Sequence, residues 1–382
     1  MRNAAGPGRS AGAGSPNGHR GPRPVDFEAG TGFAPAHHGE LLQGMFADGT
    51  GRLRRALVTL PDPGRGSHAA FYPSENHWGV VGTPELIKVR RAAIVTLREL
   101  PAHPSPAKGG QVEITSNVPR GIGMGSSTAD VTATIRAVAD YHGVALSREE
   151  VGRLAVLAEC ASDSIMIDDR VVLFAHRDGV VLETFGHSLP AMVVVGCDTE
   201  PGTRVDTLAF APADYDDREI GAFQVLRAAL RRAVATEDMP LLGRVATASA
   251  RINQRFLPKP HLAPLLELCL RHGGCGIQVA HSGTVAGLIF DARLPGVEAA
   301  VREAIAGVKA MGLLLTSLIG ADRIVPDLVA ELAVAELAAG RAPANLPAQG
   351  PPAQQPLPVV GAQADVMDVT DVTHVDGARV IA

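Results

Sequence analysis

The sequence predicts an α+β fold in two lobes, and three observations lead there. The chain has 382 residues, so a prior of roughly 150 residues per domain suggests about two domains or tightly joined lobes. Apolar residues make up 46% of it, enough for a sizeable core. Strand-like and helix-like segments are mixed along the chain without the strict alternation of a doubly wound sheet. Aromatic residues contribute only 4%, with Trp78 the single tryptophan, so the core is expected to be mainly aliphatic.

The two ends differ from the middle. Residues 1–28 are rich in Gly, Ala, Pro, Ser and Arg. From about Ala342 the chain turns rich in Pro, Ala and Gln, then acidic from Asp365 to Asp371. Such compositions bury too little apolar surface to offset chain entropy. Disorder is therefore expected over 1–28 and 336–382, leaving a folded body at 29–335.

Within the body, residues 112–114 read as a strand entering a Gly-rich turn. Over 127–142 Val131, Ile135 and Val138 recur at three and four residues, the helical period. Ser147 with Glu150 forms a capping box that opens a helix to about Glu159. Strands are expected at 171–174 and 180–184 around Arg177-Asp178-Gly179, then at 192–196. Helices follow at 223–235, 240–253 and 262–272, the last ended by Gly273-Gly274. Strands at 276–280 and 284–290, a helix at 297–311 and a strand at 313–318 complete the pattern.

Bulk properties exclude several functions. The formal net charge is −5, from 35 basic and 40 acidic residues, and no long basic stripe suggests nucleic acid. No segment reaches the roughly 18 uninterrupted apolar residues of a membrane span. The first 28 residues lack a secretory apolar region. The expectation is a cytoplasmic protein with neither nucleic-acid nor membrane partners. Cys160, Cys197, Cys269 and Cys275 form no CxxC pair, so neither a zinc site nor a disulfide framework is expected. Cys197 follows an apolar run and reads as a buried small residue.

The densest chemical signal is Val118-Pro119-Arg120-Gly121-Ile122-Gly123-Met124-Gly125-Ser126-Ser127-Thr128, with a strand leading in and a helix leading out. Glycines at alternate positions let backbone N–H groups converge on an anion without Cβ clashes. The helix adds its positive end. Three hydroxyls stand ready for a phosphate oxygen or a Mg²⁺ ion. No Lys follows the glycines, so this is not a Walker A loop, and it lies too deep in the chain for the first turn of a dinucleotide fold. An ordinary Gly-rich turn with a serine at the helix start is the competing reading.

This stretch resembles the phosphate loop of the GHMP kinase superfamily, written Pro-x-x-x-Gly-Leu-Gly-Ser-Ser. Pro119, Gly123, Gly125, Ser126 and Ser127 match, with Met124 where Leu is common. Residues 34–44, Ala-Pro-Ala-His-His-Gly-Glu-Leu-Leu-Gln-Gly, are similar to the family's first motif. The form is that of its L-threonine kinase branch, Pro-Ala-x-x-Gly-Glu-Leu-Leu-Gln-Gly. Residues 273–287 resemble the third, C-terminal Gly-rich motif, again with the Ala-His-Ser-Gly-Thr of that branch. The order of the three blocks is the family's, and the resemblance covers roughly 32–320.

The resemblance implies an N-terminal, ATP-binding lobe at 29–187 like domain 2 of ribosomal protein S5. It implies a ferredoxin-like lobe at 188–335, with the active site in the cleft between them. It further implies an ATP-dependent kinase that uses ATP and Mg²⁺ to phosphorylate the side-chain hydroxyl of a small amino acid. L-threonine, giving O-phospho-L-threonine for the aminopropanol arm of cobalamin synthesis, is the expected acceptor. Another hydroxylated amino acid or amino alcohol, or a nucleotide-binding member with weak turnover, stays open. A homodimer is compatible with the sequence.

Roles carry over residue by residue. Pro119, Gly121, Gly123, Met124, Gly125, Ser126, Ser127 and Thr128 would form the ATP cradle. Ser127 and Glu159 would hold the metal, unless Glu159 is simply a solvated helix end. Ser127 and Asp163 would be catalytic, Asp163 accepting the substrate proton or orienting its amine, or else only capping; Asp168 and Asp169 are the fallbacks. Many relatives pair the catalytic Asp with a Lys of the first motif. Here His37 and His38 stand in that neighbourhood, so catalysis would rest mainly on positioning and electrostatics. For an amino-acid acceptor, Glu40 would take the ammonium. His281, Ser282 and Thr284 would offer donors to the carboxylate, and His38 would also face the substrate.

Overall fold

A computed structural model of the chain describes residues 29–74, 79–82, 86–100, 109–203 and 213–338. Of the tails expected at 1–28 and 336–382, residues 1–28 and 339–382 lie outside these residues. The body opens with a long hairpin of β1 (Gly30–Ala47) and β2 (Leu53–Ser74). Its turn is built by Asp48, whose Oδ1 accepts from the N–H and hydroxyl of Thr50 and from the N–H of Arg52 at 2.6–3.1 Å. Gly51 supplies the left-handed residue at φ +85°, as side-chain-braced turns of this kind require. Then come β3 (Gly79–Val81), α1 (Ile87–Glu99) and β4 (Gly109–Ser116), with β4 parallel to β3 and antiparallel to β2.

Helix α2 (Ser126–Tyr141) lies directly on this hairpin. Its approach is close because Gly30 and Gly32 face it without side chains. A Cβ at Gly32 would stand 2.2 Å from the Ala133 carbonyl oxygen. Helix α3 (Arg148–Glu159) starts at the Ser147–Glu150 capping box, both bonds of which are present. A 3₁₀ turn at Ser164–Met166 leads to the hairpin β5 (Val171–Ala175) and β6 (Val180–Gly186), which meets β2 where Phe174 pairs with Leu57.

The second half contains β7 (Met192–Asp198), α4 (Asp217–Ala235), α5 (Met239–Asn253), α6 (Leu262–Arg271), β8 (Gly276–Val279), β9 (Val285–Asp291), α7 (Val297–Ala310), β10 (Leu314–Ile319) and α8 (Pro326–Ala338). Its four strands run in the order β10-β7-β9-β8, all neighbours antiparallel. That is the ferredoxin-like arrangement. Every residue of β9 is buried. Leu288 and Phe290 pack with α6 and α7, while Ile289 packs with α4 and α5. A strand covered on both faces reads as a continuous apolar run, which is why it was legible.

One contact joins the halves into a single sheet: β8 pairs with β1 through Val279 and Glu40. The strand order then runs β10-β7-β9-β8-β1-β2-β4-β3. The expected boundary near 187 falls between β6 and β7. Helix α8 continues to Ala338, three residues past the expected end of the body at 335. The elements the periodicities did not announce include the hairpin β1–β2, β3, α1 and α8. In β1 the alternation of strand side chains is broken by a bulge at the very residues of the first motif.

The core is largely aliphatic, as expected, but Phe46, Phe71, Phe174, Phe223 and Phe290 are fully buried at key junctions. Phe223 seats α4 on β1, its ring 5.8 Å from that of Phe46 and against the bare Cα of Gly44. Phe223→Ala should cost about 3–5 kcal/mol. The check is a lowered midpoint of urea unfolding at constant m; an unchanged midpoint would mean that this junction collapses without penalty.

Candidate active site

The site begins with the bulge in β1. His37 pairs with Pro61 and Glu40 with Thr59, so β1 spends three steps where β2 spends two. The extra residue is absorbed by Gly39 at φ +67°, where a Cβ would lie 2.4 Å from Gln278 Oε1. In a regular strand residues 37 and 40 would face opposite sides. The bulge turns both to one place, His37 Nδ1 lying 3.9 Å from Glu40 Oε1. Bulges re-aim side chains in this way beside active sites.

Asp163, at the entrance to the 3₁₀ turn, meets them. Its Oδ2 accepts from His37 Nε2 at 2.9 Å and from the Thr128 hydroxyl at 3.2 Å. Gly39 N–H donates to His37 Nδ1 at 3.2 Å, so a neutral His37 carries its proton on Nε2, facing Asp163. Across the cluster, Glu40 accepts from the His281 backbone N–H at 2.6 Å and from its Nδ1 at 2.9 Å. His281 Nδ1 also lies 3.7 Å from Asp163 Oδ1. Burial disfavours charge on His281, but Glu40 and Asp163 outweigh it and push its pKa up to about 9. His37 is raised for the same reason, Asp163 and then Glu40 overcoming burial. Burial works against the Asp163 carboxylate too, yet His37 and His281 hold its pKa well below the usual range.

The Gly-rich loop lies against this cluster. Gly121, Gly123 and Gly125 all take left-handed φ values of +70° to +90°, which only glycine adopts without strain. A Cβ at Gly125 would be 2.2 Å from the His37 ring. The loop is tied down by His37 N–H to the Met124 carbonyl, 3.3 Å, and by Thr284 and Val285 N–H to the Ile122 carbonyl, 2.9 and 3.2 Å. No protein side chain caps the start of α2. Its first N–H groups and its dipole are therefore available to an anion.

Beside them, the Ser127 hydroxyl donates to Glu159 Oε2 at 2.8 Å, and Lys88 Nζ lies 3.6 Å from the same oxygen. Glu159 Oε1 is buried with no hydrogen-bond partner. Burial pushes the carboxyl pKa up, against Lys88 and Ser127. An orphaned carboxylate oxygen next to a serine hydroxyl is a hard, all-oxygen donor set, and it fits Mg²⁺. His37, Glu40 and Asp163 also converge within metal-ligand distance, but hydrogen bonds among themselves and to Gly39, Thr128 and His281 already engage them.

The Gly-rich loop, Glu159, Asp163 and His281 open on one cavity of about 540 Å³. Gly121, Gly123, Met124, Gly125, Ser126, Ser127 and Thr128 line it, as do Glu159, Asp163, His281 and Ser282. Pro119 is not on the wall and only leads the chain into the loop. Three expected substrate contacts need correction. His38 is fully buried, accepting at Nδ1 from Gln278 Nε2 at 2.7 Å and donating from Nε2 to the Thr316 hydroxyl at 2.8 Å. Burial holds its pKa down to about 3. It braces the sheet, because its neighbour His37 took the site-facing side. Thr284 is 1% exposed and serves through its backbone, holding the loop. Glu40 is not on the wall either; both of its oxygens are committed to His281. Asp168 is salt-bridged to Arg136 and Arg148, and Asp169 to Arg170, far from a catalytic role.

Sequence reasoning gave no site role to Lys88, His176, Arg55, Tyr215 or Asn253, all of which line the cavity. These come from separate elements, and no local pattern marks them. That a buried Asp163 needs a cationic partner was a usable signal for His37.

Fold and site together define an ATP-dependent small-molecule kinase. Residues 88–172 match the GHMP kinases N terminal domain and residues 226–307 match the GHMP kinases C terminal domain. The chain belongs to the GHMP kinase family. It is 31% identical to the L-threonine kinase of Citrobacter freundii over 207 residues, 50% of this chain and 66% of that enzyme. It is 28% identical to the L-threonine kinase of Salmonella typhimurium over 264 residues, 67% of this chain and 81% of that enzyme. The structure of homoserine kinase from Cytophaga hutchinsonii superposes with a TM-score of 0.55 at 18% identity, covering 76% of this chain and 95% of that one. Among the described residues no helix is long and apolar enough to cross a membrane.

Two outcomes follow from the geometry. His281 has its ordinary pKa of about 6.5 in the unfolded chain and about 9 here. Its charged pair with Glu40 thus stabilises fully below about pH 6.5 and is lost as pH rises through about 9. The wild-type Tm should fall over that window more steeply than that of Glu40→Gln; parallel curves would mean the pair carries no charge. Mg²⁺ should raise the wild-type Tm in the presence of ATP, and Glu159→Gln should lose most of that rise. An undiminished rise would place the cation elsewhere.

Proposed function

We propose that this enzyme transfers the γ-phosphoryl group of ATP to the side-chain hydroxyl of a small amino acid, with L-threonine as acceptor and O-phospho-L-threonine as product. The observation that carries the reading is that the uncapped start of α2, the Ser127–Glu159 pair and Asp163 all open on one cavity. The choice of threonine rests on the two relatives named L-threonine kinase. L-homoserine is the competing acceptor, because a homoserine kinase shares the fold.

In this reading the backbone N–H groups of 121–128 and the dipole of α2 cradle the phosphates. Mg²⁺ held by Ser127 and Glu159 would neutralise phosphate charge as it shifts toward the leaving oxygen. Asp163 accepts a hydrogen bond from the acceptor hydroxyl and aims its oxygen at phosphorus. A carboxylate held so low is a weak base, so its proton uptake comes late. Phosphoryl transfer tolerates this, since its transition state asks for positioning and electrostatic stabilisation more than for a strong nucleophile. The His37 ring holds Asp163 in place, the part a Lys plays in many relatives. His281, charged at neutral pH and braced by Glu40, presents positive charge to the cavity where anionic oxygens gather. A cytoplasmic location and supply of O-phospho-L-threonine to cobalamin assembly belong to the same proposal.

The test is ADP release with Mg-ATP and L-threonine, L-serine, L-homoserine, ethanolamine or 1-amino-2-propanol, with products identified by mass spectrometry. Selective release with L-threonine supports the reading; selective release with another acceptor replaces the substrate. Asp163→Asn should lower kcat by about 10²–10⁴ while ATP affinity stays within about twofold. An unchanged kcat would remove Asp163 from the reaction.

A further inference from the structure

We propose that Arg55 and Arg177 form a clamp for the carboxylate of the acceptor, so that the enzyme selects hydroxylated carboxylic acids over the matching alcohols. The proposal rests on the kinase reading above and specifies the half of the cavity that reading leaves unassigned.

Both arginines line the cavity that holds the phosphate loop and Asp163. Arg55 projects from β2, where its backbone pairs with Met45. Arg177 sits in the turn between β5 and β6. Among the described residues neither has a carboxylate within ion-pair distance. The contrast with the preceding residue is sharp: Arg54 is bound by Asp48 at 2.7 Å and by Asp178 at 2.6 Å. Other arginines of the chain behave like Arg54. Arg227 and Arg231 bind Glu183, and Arg255 binds Glu219.

Arg55 is held in place nonetheless. Its Nη2 donates to the Ala213 carbonyl at 2.5 Å, and its guanidinium lies 5.8 Å from the centre of the Tyr215 ring. It is half-buried, and burial disfavours its charge; Arg177 adds to this, while Tyr215 and Asp214 oppose it from a distance. Arg55, half-buried beside a second guanidinium at one wall of a cavity, lacks the anion that would offset its desolvation. The planar forks of both suit a carboxylate.

The clamp and the reacting end share a neighbour on the cavity wall. His176, on the same cavity wall, feels Asp163 and His281 as well as Arg55 and Arg177. Its ring centre is 5.6 Å from that of His281. Burial, then the charge of His281, holds its pKa down to about 3. His176 is thus a neutral spacer between the reacting end and the clamp. An acceptor whose hydroxyl meets Asp163 and whose carboxylate meets the arginines is a short, hydroxylated amino or hydroxy acid. The clamp thereby takes over the carboxylate role first assigned to His281, Ser282 and Thr284.

The experiment compares L-threonine with L-threoninol, in which the carboxylate is replaced by CH₂OH. Substrates are measured by ADP release, and ligands by calorimetric titration in the presence of ADP. The variants are Arg55→Gln, Arg177→Gln and the double variant, each checked for an unchanged Tm. Wild-type kcat/KM should favour L-threonine by about 10- to 100-fold, the worth of a charge-assisted hydrogen-bonded contact. Each variant should raise the KM for L-threonine with kcat within a few-fold, and the double variant should erase the preference. ATP affinity should stay within about twofold in all of them.

An unchanged preference in the double variant would overturn the clamp. So would loss of ATP affinity by the same factor, which would assign the arginines to nucleotide phosphates. Arg177 is exposed, so Arg177→Gln keeps the test decisive even where Arg55→Gln does not fold. Titration separates this proposal from the substrate reading. Arginine-dependent binding of L-threonine or L-homoserine without turnover would sink the kinase reading and keep the clamp. Absence of any carboxylate binding to the wild type would sink the clamp.

Discussion

The arrangement of the site depends on a buried group of charges: Asp163 and Glu40, with His37 and His281 between and around them. Buried carboxylates are tolerable only when paired and hydrogen-bonded. Here each oxygen of Glu40 meets a donor on His281, and Asp163 is bound by His37 and Thr128. Removing any one partner leaves an uncompensated charge in a dry place. The requirement reaches outward from there, since His37 and Glu40 can serve together only if β1 bulges between them, and the bulge requires Gly39.

The same group explains why the site lies at the seam of the two lobes. Glu40 makes the single pairing of β1 with β8, and the next residues beyond β8 supply His281 and Ser282. Gly283 then packs on the phosphate loop; a Cβ there would stand 2.3 Å from the backbone of Ile122 and Gly123. The loop is thus sandwiched between first-motif and third-motif residues, tied to each by backbone hydrogen bonds. Its conformation is held by the chain itself, so in the proposed role little ordering cost falls on binding.

Much of this was legible before any coordinates. The glycines at 121, 123 and 125 with Ser126 and Ser127 announced a phosphate loop, and all three glycines do take the left-handed backbone that only glycine takes freely. Glu159 and Asp163, named from the resemblance, both line the cavity. The identity of the partner of Asp163 was not legible. Of the adjacent His37 and His38, side-chain alternation sends one to each face of the strand, and nothing local says which face holds the site. His38 went into the sheet, against Thr316 and Gln278. Glu40 suffered the same ambiguity: its charge was noted, but its commitment to His281 depends on a residue 241 positions away.

The sequence by itself determined the class of chemistry, because a phosphate loop is a local object: successive glycines, a helix start and hydroxyls within a dozen residues suffice to make it. It also determined the aliphatic, doubly covered strands of the C-terminal half, whose apolar runs need no partner to be recognised. Only the tertiary structure decided what lines the rest of the cavity. Arg55, His176, Arg177, Tyr215 and Asn253 come from β2, the β5–β6 turn and the neighbourhood of α4 and α5, and become neighbours only when the sheet closes. Specificity is a sum of contacts across the chain, and such a sum has no signature in any one segment.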